Sequence, residues 1–273
     1  MNRLGGGSVA FDIAYWRGRT HDLGRMGLGD LIRVFFTYPA VIGYLALGAL
    51  ALGWTAVRAD AVWSVLLAAA LAVLVYPLVW YLLHRFVLHG RFLYRSPLTA
   101  AVWKRIHFDH HQDPHDLRVL FGALYTTVPT IALVTVPIGW AVGGAAGAGG
   151  AFAAGLLMTC AYEFAHCVQH LNHVPKSAFL RRIKRLHMAH HFHNETGNFG
   201  IANFFWDRLF GTLYENPKAV PRSPTVFDLG YTPAESERYP WVARMSAPVS
   251  AIGAHRERRR HDIGRASAGH GRI

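Results

Sequence analysis

The chain has 273 residues, of which 52% are hydrophobic and only 16% are charged, and it carries a formal net charge of +12. Soluble proteins usually contain about 25% charged residues, so this composition argues against an ordinary soluble domain. The positive balance leaves nucleic acid or an anionic membrane surface as the partner, and the position of the apolar residues decides between them.

Residues 1–37 precede the first apolar run and contain charged side chains throughout. They lack the short apolar core that a cleavable signal peptide contains. We therefore expect an N-terminal segment that stays on the cytoplasmic side of the membrane.

Long uncharged runs dominate the middle of the chain. Residues 38–57 and 61–83 carry no charge, and residues 119–162 form a third such run, which GGAAGAGG at 143–150 interrupts. About 20 consecutive apolar residues cross the hydrocarbon core of a bilayer, and runs of this length are rare in the buried helices of soluble proteins. We therefore predict four membrane spans, at residues 38–57, 61–83, 119–142 and 149–170.

The basic residues are distributed unevenly around these spans. Of the 28 Lys and Arg, only Arg58 falls in a segment that would face the far side. Because segments rich in Lys and Arg stay in the cytoplasm, we expect both termini and the loop between spans two and three on that side. Residues 216–273 would form a partly disordered cytoplasmic tail, whose basic end contains no aromatic residue; nucleic acid is therefore not an expected partner.

Thirteen of the 17 histidines fall in four clusters, and this topology places all four clusters on the cytoplasmic side. The clusters are HRFVLH (His84 and His89), HFDHHQDPH (His107, His110, His111 and His115), HCVQHLNH (His166, His170 and His173) and HMAHHFH (His187, His190, His191 and His193). Polar groups at membrane depth are costly and tend to be functional, and neutral imidazole is the commonest protein ligand for transition metals. The clusters therefore predict a metal site, whereas His21, His255, His261 and His270 are expected to be ordinary surface residues.

The spacing within the clusters suits metal ligation. Residues three and four apart share one face of a helix, which applies to the second, third and fourth clusters. His84 and His89 are five apart, which is about 140° around an ideal helix. This pair can share a site only if the helix end is distorted or the two rings reach inward from two sides.

Ten histidines have the spacing expected of ligands: His84, His89, His107, His110, His111, His166, His170, His187, His190 and His191. One metal ion takes about four to six ligands, so ten indicate two ions, and imidazole suits iron, zinc, copper and nickel alike. Asp109, His115, His173 and His193 remain, either as groups that orient the ligands by hydrogen bonds or as plain surface residues.

The stretch NFGIANFFWDRLF after the last cluster has two interpretations. Residues 198–200 could form a turn that holds the last cluster against the metal. Alternatively, Ile201, Phe204, Phe205, Leu209 and Phe210 could form an apolar face on the membrane surface, with Trp206 at headgroup depth. On energetic grounds we favour the second interpretation.

The order His-x4-His, His-x2-His-His, His-x3-His and His-x2-His-His around four apolar spans resembles the fatty acid hydroxylase/sterol desaturase superfamily of membrane diiron enzymes. HHFHNETGNFGIANFFWDRLFGTLY is similar to that superfamily's ending, and residues 60–215 look most like the fatty acid 2-hydroxylases of sphingolipid metabolism. The resemblance implies an all-α fold, in which a four-helix transmembrane bundle carries a cytoplasmic histidine-rich helical cap. The hydroxylase domain would then occupy residues 38–215.

The resemblance also implies that the ten histidines bind two iron ions, which zinc can replace in purified protein, and that no other side chain is catalytic. The implied reaction uses O2 and external electrons to hydroxylate a membrane lipid, with carbon 2 of a fatty acid or acyl lipid as the expected position. Relatives often carry a cytochrome b5 domain, and residues 1–37 are too short to hold one. We therefore expect a separate electron donor of cytochrome b5 or ferredoxin type, and we make no prediction of oligomeric state.

Other activities remain compatible with the same clusters. Within the enzymes, these are a sterol desaturase-like activity, hydroxylation of a carotenoid ring and hydroxylation of a polar-lipid headgroup. A protein of another class, a bis-histidine membrane cytochrome, would need histidines paired across facing spans at membrane depth. An absorption spectrum separates this last class, because haem gives a Soret band and a non-haem diiron site does not.

Overall fold

The computed structural model describes residues 21–246, and within that range the chain is helical, as predicted, without a β-strand. In chain order the helices are α1 (Leu28–Phe35), α2 (Pro39–Arg58), α3 (Val62–Leu82), α4 (Ala100–Trp103), α5 (Asp109–Gln112), α6 (Leu124–His170), α7 (Ala178–Phe192), α8 (Phe205–Leu209), α9 (Pro233–Arg238) and α10 (Trp241–Met245). A π-helical turn, Leu83–Leu88, extends α3, and another, Lys104–Phe108, joins α4 to α5. The basic end of the predicted tail, with His255, His261 and His270, lies outside the described residues.

Three helices are long and apolar enough to cross a membrane: Pro39–Arg58, Val62–Arg95, which includes the extension of α3, and Leu124–His170. Proline opens α2, where its fixed φ suits the first turn and its missing N–H costs no hydrogen bond. Large apolar side chains such as Trp63 and Leu74 are exposed on α3. A helix that is apolar all round is typical of a membrane span rather than of a helix that faces water.

Helix α6 folds back on itself in its middle. Gly143 and Gly144 have non-helical φ and ψ angles, and the φ of Gly144 is +55°, which favours glycine. In a straight helix Ile131 and Gly155 would lie about 36 Å apart. Instead, a Cβ placed on Gly155 would lie 2.8 Å from a side-chain carbon of Ile131. The two halves of α6 therefore form an antiparallel hairpin.

The main core lies where Leu23 and α1 pack against α2 and α6. Phe35 of α1 makes edge contacts with Phe164, and Tyr38 stacks on Phe121 with 4.0 Å between ring centroids. Cys160 and Cys167 lie in the same cluster, and both are buried and free, so they act there as packing residues.

A second core joins the histidine-bearing helices to residues 216–246. Trp103 and Phe108 from the α4–α5 segment pack with Leu229, Tyr231 and Val242, all of which are buried. Residues beyond the domain boundary predicted at residue 215 thus pack against the histidine-bearing helices, at least as far as α10. This packing could not be predicted, because residues 216–246 are largely polar and contain only short apolar patches.

Candidate metal centre

All ten predicted ligands meet in two groups of five imidazoles, near the C-terminal ends of α3 and α6. The first group consists of His84, His89, His107, His111 and His190, and the second of His110, His166, His170, His187 and His191. Within each group, one nitrogen from every ring lies within 4.8 Å of the others. Nine of the ten side chains are buried, and His89 is partly buried.

The π-helical turn at the end of α3 explains how His84 and His89 reach one point. The backbone N–H of His89 donates to the carbonyl of His84, an i to i+5 bond that widens the turn. The two Nε2 atoms lie 3.2 Å apart. The helix end is thus distorted in the way that the five-residue spacing required.

The second and fourth histidine clusters are each divided between the two groups. His111 belongs to the first group and its neighbour His110 to the second, and His190 and His191 divide in the same way. Consecutive residues of a helix point about 100° apart. Because α5 and α7 lie between the two groups, each helix supplies both of them.

The geometry of the nitrogens fits metal ions. In the first group, the Nε2 atoms of His84, His89 and His107 are mutually 2.9 to 3.2 Å apart. Two nitrogens that bind one metal at about 2.1 Å and at right angles lie about 3.0 Å apart. In the second group, the Nε2 atoms of His170 and His187 are 2.9 Å apart.

Unpartnered nitrogens support the same fit. Among the described residues, His110 and His191 have both ring nitrogens buried without a hydrogen-bond partner, and His111, His166 and His190 have their Nε2 in that state. Burying so many polar atoms unpaired is unfavourable unless something else binds them. The donor set therefore suits two transition-metal ions held by nitrogen.

Backbone carbonyls orient three imidazoles of the first group. The Nδ1 of His84 forms a hydrogen bond with the carbonyl oxygen of Phe199. The Nδ1 of His190 forms one with the carbonyl oxygen of Gly197 at 2.7 Å. The Nδ1 of His111 forms one with the carbonyl oxygen of Val226 at 2.9 Å. An Nδ1–H that donates to a carbonyl fixes the tautomer and leaves Nε2 free for a metal.

The turn that supplies two of these carbonyls is held by one buried carboxylate. Asp207 accepts hydrogen bonds from the N–H of Phe199 at 2.8 Å and of Gly200 at 2.7 Å, and its Oδ1 also accepts from the Thr212 hydroxyl at 2.7 Å. Asn198 adopts a φ of +56° and contacts residues on both sides of the turn. The less favoured of the two interpretations, a turn that holds the last cluster, describes these contacts.

The predicted apolar membrane face after that turn is only partly present. Ile201 and Phe204 are buried in the protein, whereas Phe205, Leu209 and Phe210 are exposed. The first two pack inward because the turn at residues 198–200 draws the chain against α6 and α7, where Gln169 donates to the carbonyl of Ile201. Only α8 and its end present an apolar surface.

The four residues expected near the ligands differ in their surroundings. His115 bonds the backbone carbonyl of His170 through its Nδ1 at 3.1 Å, and His193 bonds that of Val220 through its Nε2 at 2.9 Å. Asp109 forms an ion pair with Lys104, with 2.6 Å between Nζ and Oδ1. His173 is exposed at the end of α6.

Burial keeps the imidazoles of the two groups neutral. Desolvation lowers the pKa of His190 to about 4, and it lowers the pKa of His107, His111 and His187 well below the usual value for histidine. Neutral imidazole is the form that binds metal, so these residues are ready to bind metal near pH 7.

A small cavity of about 30 Å³ touches both histidine groups. Apolar side chains such as Leu88, Ile106 and Ile201 form much of its wall, together with Trp80 and Glu163. Glu163 is buried and accepts from the backbone N–H of Gly122 at 3.0 Å. Glu163 and Asp207 were not among the predicted site residues, and the signal for both was an acid among apolar and aromatic residues.

A family model for fatty acid hydroxylase matches residues 69–212, which is more than half of the chain and includes all ten histidines of the two groups. The chain belongs to the fatty acid hydroxylase family. This confirms the superfamily inferred from the order of the histidine clusters. The matched domain is therefore that of an oxidoreductase.

Similar proteins agree with this assignment. The ceramide very long chain fatty acid hydroxylase SCS7 of Saccharomyces cerevisiae is 32% identical over 154 residues, covering 54% of this chain and 38% of that protein. Fatty acid 2-hydroxylase of Rattus norvegicus is 33% identical over 144 residues, covering 52% of this chain and 38% of that protein. The match thus spans well under two thirds of either relative. The predicted closeness to the fatty acid 2-hydroxylases is confirmed.

A solved structure supports the fold. Full-length scs7p, of which only the hydroxylase domain is visible, matches with a TM-score of 0.58 and 26% sequence identity. The match covers 69% of this chain and 69% of that one.

Proposed function

We propose that the protein is a membrane diiron hydroxylase that uses O2 and external electrons to hydroxylate an acyl lipid, with carbon 2 of the acyl chain as the position of attack. The observation that carries the proposal is the meeting of ten histidines in two groups of five, within a fatty acid hydroxylase domain. We assign all ten as metal ligands. His115 and His193 would support the helices that carry ligands, whereas Asp109 and His173 would have no role at the metals.

The hairpin in α6 supports four membrane crossings. With the break at Gly143 and Gly144, the helix supplies two antiparallel halves beside α2 and α3. The ends of α3 and α6 that carry histidines then lie on one side of the membrane. Of the 28 Lys and Arg, only Arg58, at the C-terminal end of α2, would lie on the other side, which favours a cytoplasmic location for the histidines and both termini.

Two iron ions, when bound, supply the activation of dioxygen and the oxidation of an unactivated C–H bond. The side chains of this protein would bind the metal ions and orient the metal-binding imidazoles. The first group is fixed through the carbonyls of Gly197, Phe199 and Val226. The cap covers the groups and keeps bulk water away from them, as their burial shows.

The small cavity between the groups suits the reacting part of an acyl chain. Its wall is largely apolar, with Leu88, Ile106 and Leu120 beside histidines of both groups. The cavity lies at the end of the apolar spans, close to headgroup depth, so a chain that enters from the leaflet would present the carbons next to its carbonyl. This favours attack near the head over mid-chain desaturation.

The proposal is tested by expressing the chain in a host that lacks a lipid 2-hydroxylase. Purified protein should contain two metal ions per chain, and the host lipids should gain an oxygen atom, about 16 mass units, located at carbon 2 by fragmentation. Turnover should require O2 and an added cytochrome b5 or ferredoxin with its reductase. A product that carries the new oxygen on a ring or in the headgroup would assign the protein to another activity of the superfamily. A product that has lost two hydrogens would do the same, because it indicates desaturation.

A further inference from the structure

A second cavity, of about 250 Å³, opens beside the first histidine group and is not used by the roles assigned above. His89 lines it, together with Arg85, Arg91 and Glu195. Arg85 belongs to the π-helical turn at the end of α3, so the cavity lies where the apolar span meets the cap. Phe86, which also lines it, has 55% of its surface exposed, as expected of an aromatic residue at the membrane interface. This is the depth at which lipid headgroups lie.

Glu195 has an oxygen that the rest of the described chain does not satisfy. Only 4% of the residue is exposed, and its Oε1 accepts from the hydroxyls of Ser223 at 2.9 Å and Thr225 at 2.5 Å. Its Oε2 is buried and has no hydrogen-bond partner among residues 21–246. Because an unpaired carboxylate oxygen is costly to bury, the site lacks a hydrogen-bond donor or a cation.

Arg85 and Arg91, by contrast, lack an anionic partner among residues 21–246. Arg85 donates to the hydroxyl of Tyr81 at 2.7 Å and lies 4.9 Å from the ring centroid of Phe86. Arg91 is exposed at the rim. In the described part of the chain, the ion pairs involve neither arginine. Both guanidinium groups therefore have donors available for an anion.

We propose that this cavity binds the head of a zwitterionic acyl lipid, with its anionic group on Arg85 and Arg91 and its ammonium on Glu195. The inference rests on the proposed function, which it deepens by naming the class of substrate: an intact polar lipid whose acyl chain reaches the metals past His89. A phosphate or a carboxylate can supply the anion, since both accept paired hydrogen bonds from arginine.

Other lipid headgroups provide a partner either for the two arginines or for Glu195, but not for both. A free fatty acid gives the arginines a carboxylate but places no donor on Glu195 and adds a second negative charge beside it. A ceramide offers N–H and O–H donors to Glu195 but has no anion for the arginines. A zwitterion provides both an anion for the arginines and a donor for Glu195, and charge complementarity of this kind gives specificity.

The test is lipid binding to the purified, metal-loaded, full-length protein, measured by native mass spectrometry. The probes carry one and the same acyl chain: a phosphatidylethanolamine, an N-acyl-lysine, a ceramide and the free fatty acid. We expect at least one zwitterion to bind about tenfold more tightly than the ceramide and the free acid. The first two probes distinguish a phosphate head from a carboxylate head. A ceramide or a free acid that bound as tightly as both zwitterions would overturn the proposal.

Two variants test the residues. Arg91→Gln and Glu195→Gln should each weaken binding of the preferred zwitterion about tenfold and raise its KM, with kcat unchanged. Arg222→Gln and Glu237→Gln are matched controls, because both residues are exposed and lie outside the cavity lining. Arg91 is itself exposed, so its substitution should fold, and metal content checks that Glu195→Gln leaves the centre intact.

The outcomes separate the two proposals. If neither variant changes lipid preference while the wild-type protein hydroxylates lipid, the headgroup assignment is wrong and the hydroxylase function stands. If no lipid is hydroxylated but the zwitterion binds with the expected dependence on Arg91 and Glu195, the binding site stands and the proposed reaction fails.

Discussion

The Nδ1 atom of His190 lies 2.7 Å from the backbone carbonyl oxygen of Gly197, and this hydrogen bond joins α7 to the turn that follows it. The same turn offers the carbonyl of Phe199 to His84 at the end of α3. One short stretch of backbone therefore orients imidazoles from two distant parts of the sequence. The rigidity of the first histidine group depends on what holds the turn, which is the carboxylate of Asp207.

We expect Asp207→Asn to weaken metal binding at the first group by about 10- to 100-fold, as is typical when a group that orients metal ligands is lost. An asparagine has one oxygen, so it cannot accept from the N–H groups of both Phe199 and Gly200 as the two carboxylate oxygens do. The measurement is metal per chain in protein that elutes as a single folded species. Asp60→Asn, in the exposed turn after α2, is the control. Two tightly held ions in Asp207→Asn would show that the turn holds its shape without the carboxylate.

The meeting of the ten histidines could be predicted because metal coordination, where it occurs, places strict demands on the sequence. Ten imidazoles must come from a few helices, so most of them recur at the three- and four-residue spacings that place side chains on one helix face. The five-residue spacing of His84 and His89 does not fit one face of an ideal helix, so it predicted a distorted helix end. The π-helical turn is that distortion. The long apolar runs also mark the helices directly, because lipid leaves few alternatives to a helix.

The remainder depends on backbone atoms and on tertiary packing, which leave no signature in residue types. The carbonyl that orients His111 belongs to Val226, in a segment that looks like a polar tail. The division of adjacent histidines between two groups follows from where α5 and α7 lie, not from their spacing. Glu195 appears ordinary in sequence, and only its burial beside a cavity distinguishes it.

Substitution of ligands should separate the two kinds of histidine. His190→Ala should abolish product formation and lower metal content, because it removes a buried imidazole of the first group. His173→Ala should leave both unchanged, since that side chain is exposed and belongs to neither group. Product is measured by mass spectrometry and metal by elemental analysis, in membranes that contain equal amounts of protein. Wild-type turnover in His190→Ala would refute the assignment of that residue as a ligand.

The close packing of the two halves of α6 can be tested by substitution of a glycine between them. A Cβ at Gly139 would lie 2.2 Å from the backbone oxygen of Gly147, so Gly139→Ala forces the two halves apart. Overpacking of this kind costs about 1 to 3 kcal/mol, and the detergent-solubilised protein should unfold at a lower temperature. Gly53→Ala is the matched control within α2, because no atom lies within 4 Å of its added Cβ. The control should be neutral or slightly stabilising, since alanine favours a helix more than glycine does. Equal melting temperatures for both variants would contradict the hairpin.

Removal of metal should proceed in two steps, because the two groups are supported unequally. In the first group, backbone carbonyls orient His84, His111 and His190, whereas in the second group His170 and His187 each have a buried Nδ1 without a partner in residues 21–246. Ligands whose rings are fixed by hydrogen bonds hold metal more tightly, by about 10- to 100-fold per supporting group. We therefore expect a chelator to remove one ion quickly and the other slowly, with metal per chain falling first from two to one. In Asp207→Asn the slow step should become faster, while the fast step keeps its rate because it reports on the second group. A single-step loss of both ions from the wild-type protein, or a slow step that Asp207→Asn does not change, would show that the carbonyls do not control the release of metal.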